Sequence, residues 1–198
     1  MANVLPWFIS HYDEVLGTLF SLIYLYFSIK QNIWLWPLGI IGSAIYASIF
    51  FNARIYADMG LQIYYVLISI YGWYHWSFGK DGNHDPQKIK VKYTGKKTAL
   101  LLVLITSLLF IIISQILIYF TDSEIPYWDA FTTAVSISAT WMLTKKYIEH
   151  WLIWIVVDLV SSGIYFYKEL YFTIFLYLIY TIMAIIGYMK WKKDIISS

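Results

Sequence analysis

Seven predominantly apolar runs dominate this chain, extending over Val15–Ile29, Trp34–Phe51, Tyr56–Trp76, Ala99–Phe120, Tyr127–Leu143, Trp151–Tyr167 and Tyr171–Tyr188. A helix crossing a bilayer needs about 20 such residues. The shorter runs reach that span when the Tyr, Trp and Lys at their ends extend into the headgroup layer. Only 13% of the 198 residues are charged and 60% are apolar, whereas about 25% are charged in a soluble domain. The aromatic share of 21% suits helix ends lying among lipid headgroups. Together these features exclude soluble globular, disordered and coiled-coil folds and predict an all-α integral membrane protein of seven transmembrane helices. A formal net charge of +2 is too small to imply nucleic acid as a partner. With no cysteine, the chain has no disulfide framework and no thiolate metal site. The start MANVLPWFISHYDE lacks the basic flank and cleavage site of a signal peptide, so the first run is expected to stay in the mature protein.

One long polar stretch, 77–97, contains Gly79, Gly82, Pro86, Gly95 and six lysines and reads as a solvated connector. Seven spans place the N-terminus on the side where only Arg54 and Lys168 are basic. The opposite side receives twelve lysines: Lys30, the six of the 77–97 loop, Lys145, Lys146, Lys190, Lys192 and Lys193. By the positive-inside rule that side is cytoplasmic, which puts the N-terminus outside and the C-terminus inside.

The chain also repeats itself. At an offset of 115 residues the first three runs fall on the last three. Lys30 meets Lys145, Trp36 meets Trp151, Tyr56 meets Tyr171, Gly72 meets Gly187 and Trp76 meets Trp191. Four spans separate the copies, so both enter the membrane from the same side and are parallel. The expected organisation is a single transmembrane domain over 1–198. Repeat one covers 12–76, a cytoplasmic loop 77–97, a linker helix 99–120 and repeat two 127–191. This 3+1+3 plan, as in the SWEETs, binds substrate between repeats near mid-membrane.

The segment NIWLWPLGIIGSAIYASIFFNARIYADMGLQIYYVLISIYGWYHW (Asn32 to Trp76), with KKYIEHWLIWIVVDLVSSGIYFYKELYFTIFLYLIY (Lys145 to Tyr180), resembles the PnuC family of bacterial vitamin transporters. WPLG, YGWYHW and the Trp154-to-Asp158 motif carry the likeness, which spans nearly the whole chain. The resemblance implies a multi-pass protein of the bacterial inner membrane with the 3+1+3 arrangement, usually a homotrimer. It implies facilitated diffusion of nicotinamide riboside for NAD synthesis, with a separate cytoplasmic kinase trapping the substrate. Similar relatives carry thiamine or riboflavin. No cofactor is implied.

An ionisable residue in mid-span is costly and marks function. Asp158 is such a residue, with Trp154 four positions earlier, Trp151 seven earlier and Tyr165 seven later, all on one helix face. A flat permanent cation, a pyridinium or thiazolium, stacks on an indole and is neutralised by a carboxylate. The competing role for Asp158 is a structural one, bridging helices through Ser or Tyr hydroxyls. At the matching positions of repeat one stand Ser43 and Gly39, so the halves differ where an asymmetric ligand sits. In the family's nicotinamide riboside carriers, the resemblance implies, Asn stands four residues after the Trp. Asp158 departs from that pattern and brings thiamine forward as an alternative substrate.

Gln62, able to make four hydrogen bonds, is the next intramembrane candidate, its alternative role being glue between helices. Tyr46, Tyr65, Tyr177 and Tyr180 are candidates for lining the path, though such residues are more often packing. Pro37, Gly39, Gly42, Ser43, Ala44 and Ala47 allow the second span to bend and pack closely. His75 and His150 have no ligand-spaced partner, so no metal site is expected. No phosphate-cradling loop is present, which leaves passive or ion-coupled transport. Proton coupling through Asp158 is the second mechanism. An intramembrane enzyme using Asp158 with Ser161 or Ser162 is a distant one, since no second acid, base or metal joins them.

Overall fold

A computed structural model describes residues 12–52, 56–78, 89–169 and 171–196. Arg54, Gly79, Lys80, Gly82, Pro86 and Lys88, named above, lie outside the described residues. Among the described residues seven helices follow in order: α1 Tyr12–Ile29, α2 Leu35–Asn52, α3 Tyr56–Phe78, α4 Lys96–Phe120, α5 Pro126–Thr144, α6 His150–Tyr167 and α7 Tyr171–Ile196. Among the described residues, Lys96–Phe120, His150–Tyr167 and Thr173–Ile196 are long and apolar enough to cross a membrane. The chain divides into two compact units, Met1–Ile70 and Tyr71–Ser198, with α3 running through the division.

In the first unit α1 packs on α2. A Cβ at Gly39 would lie 2.9 Å from the Ser69 hydroxyl and 3.3 Å from the Tyr24 ring. The missing side chain therefore lets α1 and α3 close on α2, as small residues do in lipid.

In the second unit α4 packs on α5, α5 on α6 and α6 on α7. A seam of small residues on α5, including Ala130, Ala134, Ser138 and Ala139, is buried. The end of α3 also belongs to this unit. Trp76 is 1% exposed, and its indole N–H donates to the Thr144 carbonyl at 3.0 Å. That bond satisfies one of the orphan carbonyls at the C-terminus of α5.

The turn between α1 and α2 and the turn between α5 and α6 share one construction. Gln31 and Lys146, 115 residues apart, both sit in the left-handed region with φ of 53°. The Gln31 N–H donates to the Ser28 carbonyl and the Asn32 N–H to that of Phe27. In the second turn the Lys146 N–H donates to Leu143 and that of Tyr147 to Met142. Both patterns are Schellman closures, which normally favour glycine at the left-handed position. The helices that follow open alike: Leu35 and Trp36 donate to Asn32 and Ile33, and His150 and Trp151 to Tyr147 and Ile148.

The helices agree with the seven apolar runs, with two corrections. α7 continues to Ile196, eight residues past Tyr188, because Trp191 on its inner face is fully buried while Lys192 and Lys193 stay exposed. The 77–97 stretch is not a solvated connector throughout. Val91 is buried, the Lys92 N–H donates to the Lys146 carbonyl at 3.1 Å, and the Ile148 N–H donates to the Lys92 carbonyl at 3.0 Å. Thr94 donates its N–H and its hydroxyl to the Glu149 carboxylate, at 3.0 and 2.7 Å. α4 then begins at Lys96, three residues before Ala99.

Candidate functional site

Helix α6 carries WLIWIVVD from Trp151, so its turn of about 3.6 residues puts Trp151, Trp154 and Asp158 along one face. Asp158 is only 5% exposed. Among the described residues no donor reaches its carboxylate. The nearby Ser162 hydroxyl is spent on the Asp158 backbone carbonyl, at 2.8 Å, which leaves the side chain unbridged. A buried carboxylate without a hydrogen bond is costly, and that cost falls when a ligand supplies donors or positive charge.

Tyr165, on α6 itself, meets Tyr177 of α7 with ring centroids 5.0 Å apart. Tyr177 packs in turn against Tyr180 of the same helix, at 5.4 Å. Tyr165, seven residues after Asp158, shares its face of α6 and so joins that face to the tyrosine rings of α7. Trp154 is partly exposed, leaving part of its indole open to a planar ligand.

Trp151 is placed differently. It is 1% exposed, and its ring fills the space where Gly187 lacks a side chain: a Cβ there would fall 2.6 Å from the indole. His150 and Trp191 enclose it at centroid distances of 4.5 and 5.6 Å. Trp151 thus anchors the start of α6 rather than presenting a free face. The His150 Nδ1 lies 2.7 Å from the Tyr147 carbonyl, and because a carbonyl only accepts, Nδ1 carries the proton. His150 Nε2 and the Trp151 indole N–H are buried without a partner among the described residues.

Gln62 and Ser43 lie in the first unit, both half-buried, with no hydrogen bond from either side chain among the described residues. Tyr165, Trp154, Trp151 and Asp158 all lie on α6 of the second unit. The sequence marks Lys146 only as one of the lysines that set sidedness, but it is 3% exposed, with its ammonium 4.5 Å from the centre of the Trp76 ring. Burial lowers its pKa from 10.5 to about 8, opposed by the charge of Asp194. Lys145 donates to the Tyr71 hydroxyl and lies over that ring at 4.8 Å. The available signal was the repeat itself, which pairs Lys146 with the uncharged Gln31.

Residues 11–193 match the family model described as nicotinamide mononucleotide transporter. The nicotinamide riboside transporter PnuC of Escherichia coli K12 is 26% identical over 200 residues, covering 90% of this chain and 84% of that protein. The riboflavin/roseoflavin transporter RibM of Streptomyces davaonensis is 23% identical over 181 residues, covering 91% and 84%. In fold, the chain is similar to a crystal structure of the vitamin B3 transporter PnuC, with a TM-score of 0.70 at 22% identity, covering 96% of this chain and 85% of that one.

Proposed function

The chain belongs to the nicotinamide mononucleotide transporter family, and from that premise we propose that it is a membrane carrier that takes up nicotinamide riboside by facilitated diffusion for NAD synthesis. The observation that carries this reading is the buried, unbridged carboxylate of Asp158 beside a partly exposed Trp154. Nicotinamide riboside offers what such a site lacks: a flat permanent cation for the indole and carboxylate, and ribose hydroxyls to donate hydrogen bonds. Tyr165 and the Tyr177 ring complete the proposed substrate-binding set of the second unit, with Trp151 bracing the helix, and Gln62 and Ser43 are the substrate-binding candidates of the first unit.

The 3+1+3 plan, with repeats 12–76 and 127–191, is part of this proposal. It is supported by two turns built alike at positions 115 apart. So are the bacterial inner-membrane location with the N-terminus outside, the homotrimer, and the cytoplasmic kinase that traps the substrate. A facilitated-diffusion carrier only equilibrates its substrate, so a trapping reaction is what makes uptake net. Thiamine is the second reading, favoured by an acid at position 158, because its thiazolium gains from full neutralisation.

Uptake of labelled nicotinamide riboside into liposomes holding only the purified protein, without nucleotide, tests the proposal. Equilibration without dependence on a pH gradient is expected. Flux of thiamine or riboflavin with none of nicotinamide riboside would reassign the substrate, and gradient dependence would replace facilitated diffusion by proton coupling.

A further inference from the structure

Within the second unit a cavity of about 400 Å³ opens between α4 and the α5–α6 pair. That volume falls in the range of about 300–1,000 Å³ typical of ligand sites. Its wall is apolar along Ala99, Leu102, Val135, Met142 and Ile153, and Val103, 61% exposed, forms an open rim. Thr106 and Ser138, hydroxyls 2.5 Å apart, tie the two helices at its deeper end. From Ala99 to Ser107 the groove follows α4 for about 12 Å, at about 1.5 Å per residue. It is thus a slot for a chain rather than a bowl for a disc.

The charge at one end says what fills it. Thr94 and Glu149 line that end, and Glu149 is already occupied by the Thr94 N–H and hydroxyl. Lys92, Lys96 and Lys97 flank the same few residues, three ammonium groups against one carboxylate. Lys96 and Lys97 are exposed, with no partner among the described residues, and Lys92 rests only on the Tyr147 ring, 5.0 Å from its centre. They sit at the start of α4, whose N-cap Gly95 provides no side-chain cap, so the free N–H groups and helix dipole add to the positive field. A basic cluster at headgroup depth above an apolar slot between spanning helices has the chemistry of an anionic phospholipid site.

We infer that this groove holds an acyl chain of an anionic phospholipid whose headgroup phosphate lies on Lys92, Lys96 and Lys97. The lipid fills the gap between the linker helix and α5 on the lysine-bearing side of the membrane. It is a site separate from Asp158, which does not line the groove.

Native mass spectrometry of the full chain in detergent, titrated with phosphatidylglycerol and with phosphatidylcholine of identical acyl chains, tests this. One phosphatidylglycerol should be retained in preference to phosphatidylcholine. Replacing Lys96 and Lys97 by Ser should lower its affinity about fivefold per lysine, leaving phosphatidylcholine unchanged. Ala99→Phe should displace both lipids, and Ser107→Phe, on the exposed rim, repeats that test should the first variant fail to fold. Equal retention of the two lipids, or retention unaffected by filling the groove, would overturn the proposal. Displacement by glycerophosphoglycerol, which has the headgroup without the chains, would show a free-anion site instead. The chain has no cysteine, so Val103→Cys is a unique probe. Its crosslinking between copies in membranes would show that a second chain covers the groove and would overturn the lipid assignment.

Discussion

Asp158 and Trp154 answer different physical questions, so their substitutions should separate. Asp158→Asn removes charge but keeps an amide able to hydrogen-bond ribose, and should weaken thiamine binding while sparing nicotinamide riboside. Trp154→Ala should weaken either by about 0.5–2 kcal/mol, roughly two- to thirtyfold. Calorimetry on variants that elute like the wild type measures both; unchanged affinity in both would leave Asp158 a structural residue. Lys146 makes a prediction of opposite character. Its folded pKa of about 8 lies below its ordinary 10.5, so between those values the unfolded chain binds more protons than the native one. Stability from this group therefore rises with pH across that window, by at most about 3 kcal/mol. In detergent, the wild type should gain in melting temperature on Lys146→Gln as pH rises from 8 to 10; parallel curves would refute the buried charge. Asp158 was legible in the sequence because a lone acid in an apolar run stands out. Lys146 was not, because nothing local distinguishes a buried lysine from its exposed neighbour Lys145; the Trp76 that covers it is 70 residues away.

At the level of helices, period and length fixed nearly everything. Among the described residues, thirteen of the fourteen helix ends fall within three residues of the apolar runs, and the C-terminus of α7 departs. It departs because polarity marks where a helix leaves lipid, whereas the helix stops only where backbone pairing stops. Docking of 91–94 onto the α5–α6 turn was hidden for a related reason: it uses backbone bonds and one carboxylate, which leave no periodic trace. The packing of α6 on α7 turns on one missing side chain. Gly187→Ala would drive a Cβ to 2.6 Å from Trp151, whose ring is boxed in by His150 and Trp191 and cannot swing aside. Overpacking of this kind costs about 1–3 kcal/mol. Thermal unfolding should register that loss, and the double variant Gly187→Ala with Trp151→Phe should recover part of it. A fully tolerated Gly187→Ala would mean that α6 and α7 separate easily.

For the whole molecule, sidedness and repetition meet in one experiment. Twelve lysines against two basic residues predict that the 30–31 turn, the 77–97 loop, the 145–149 turn and the C-terminus share the cytoplasmic side. The repeat demands the same of two of these points independently, because parallel copies present equivalent turns to the same face. Lys30 and Lys145 precede the left-handed residues Gln31 and Lys146 in turns closed by the same hydrogen bonds. In a parallel arrangement they must become accessible together. In an inverted one they must be accessible from opposite sides. Lys30→Cys and Lys145→Cys, each introduced singly into this cysteine-free chain, permit the comparison with a membrane-impermeant maleimide. Neither should react in intact cells, and both should react in inside-out vesicles. Reaction of one from each side would break the parallel repeat while leaving the helices intact. Reaction of both from outside would keep the repeat but invert the topology, and would place the 77–97 loop and the C-terminus outside the cell with them.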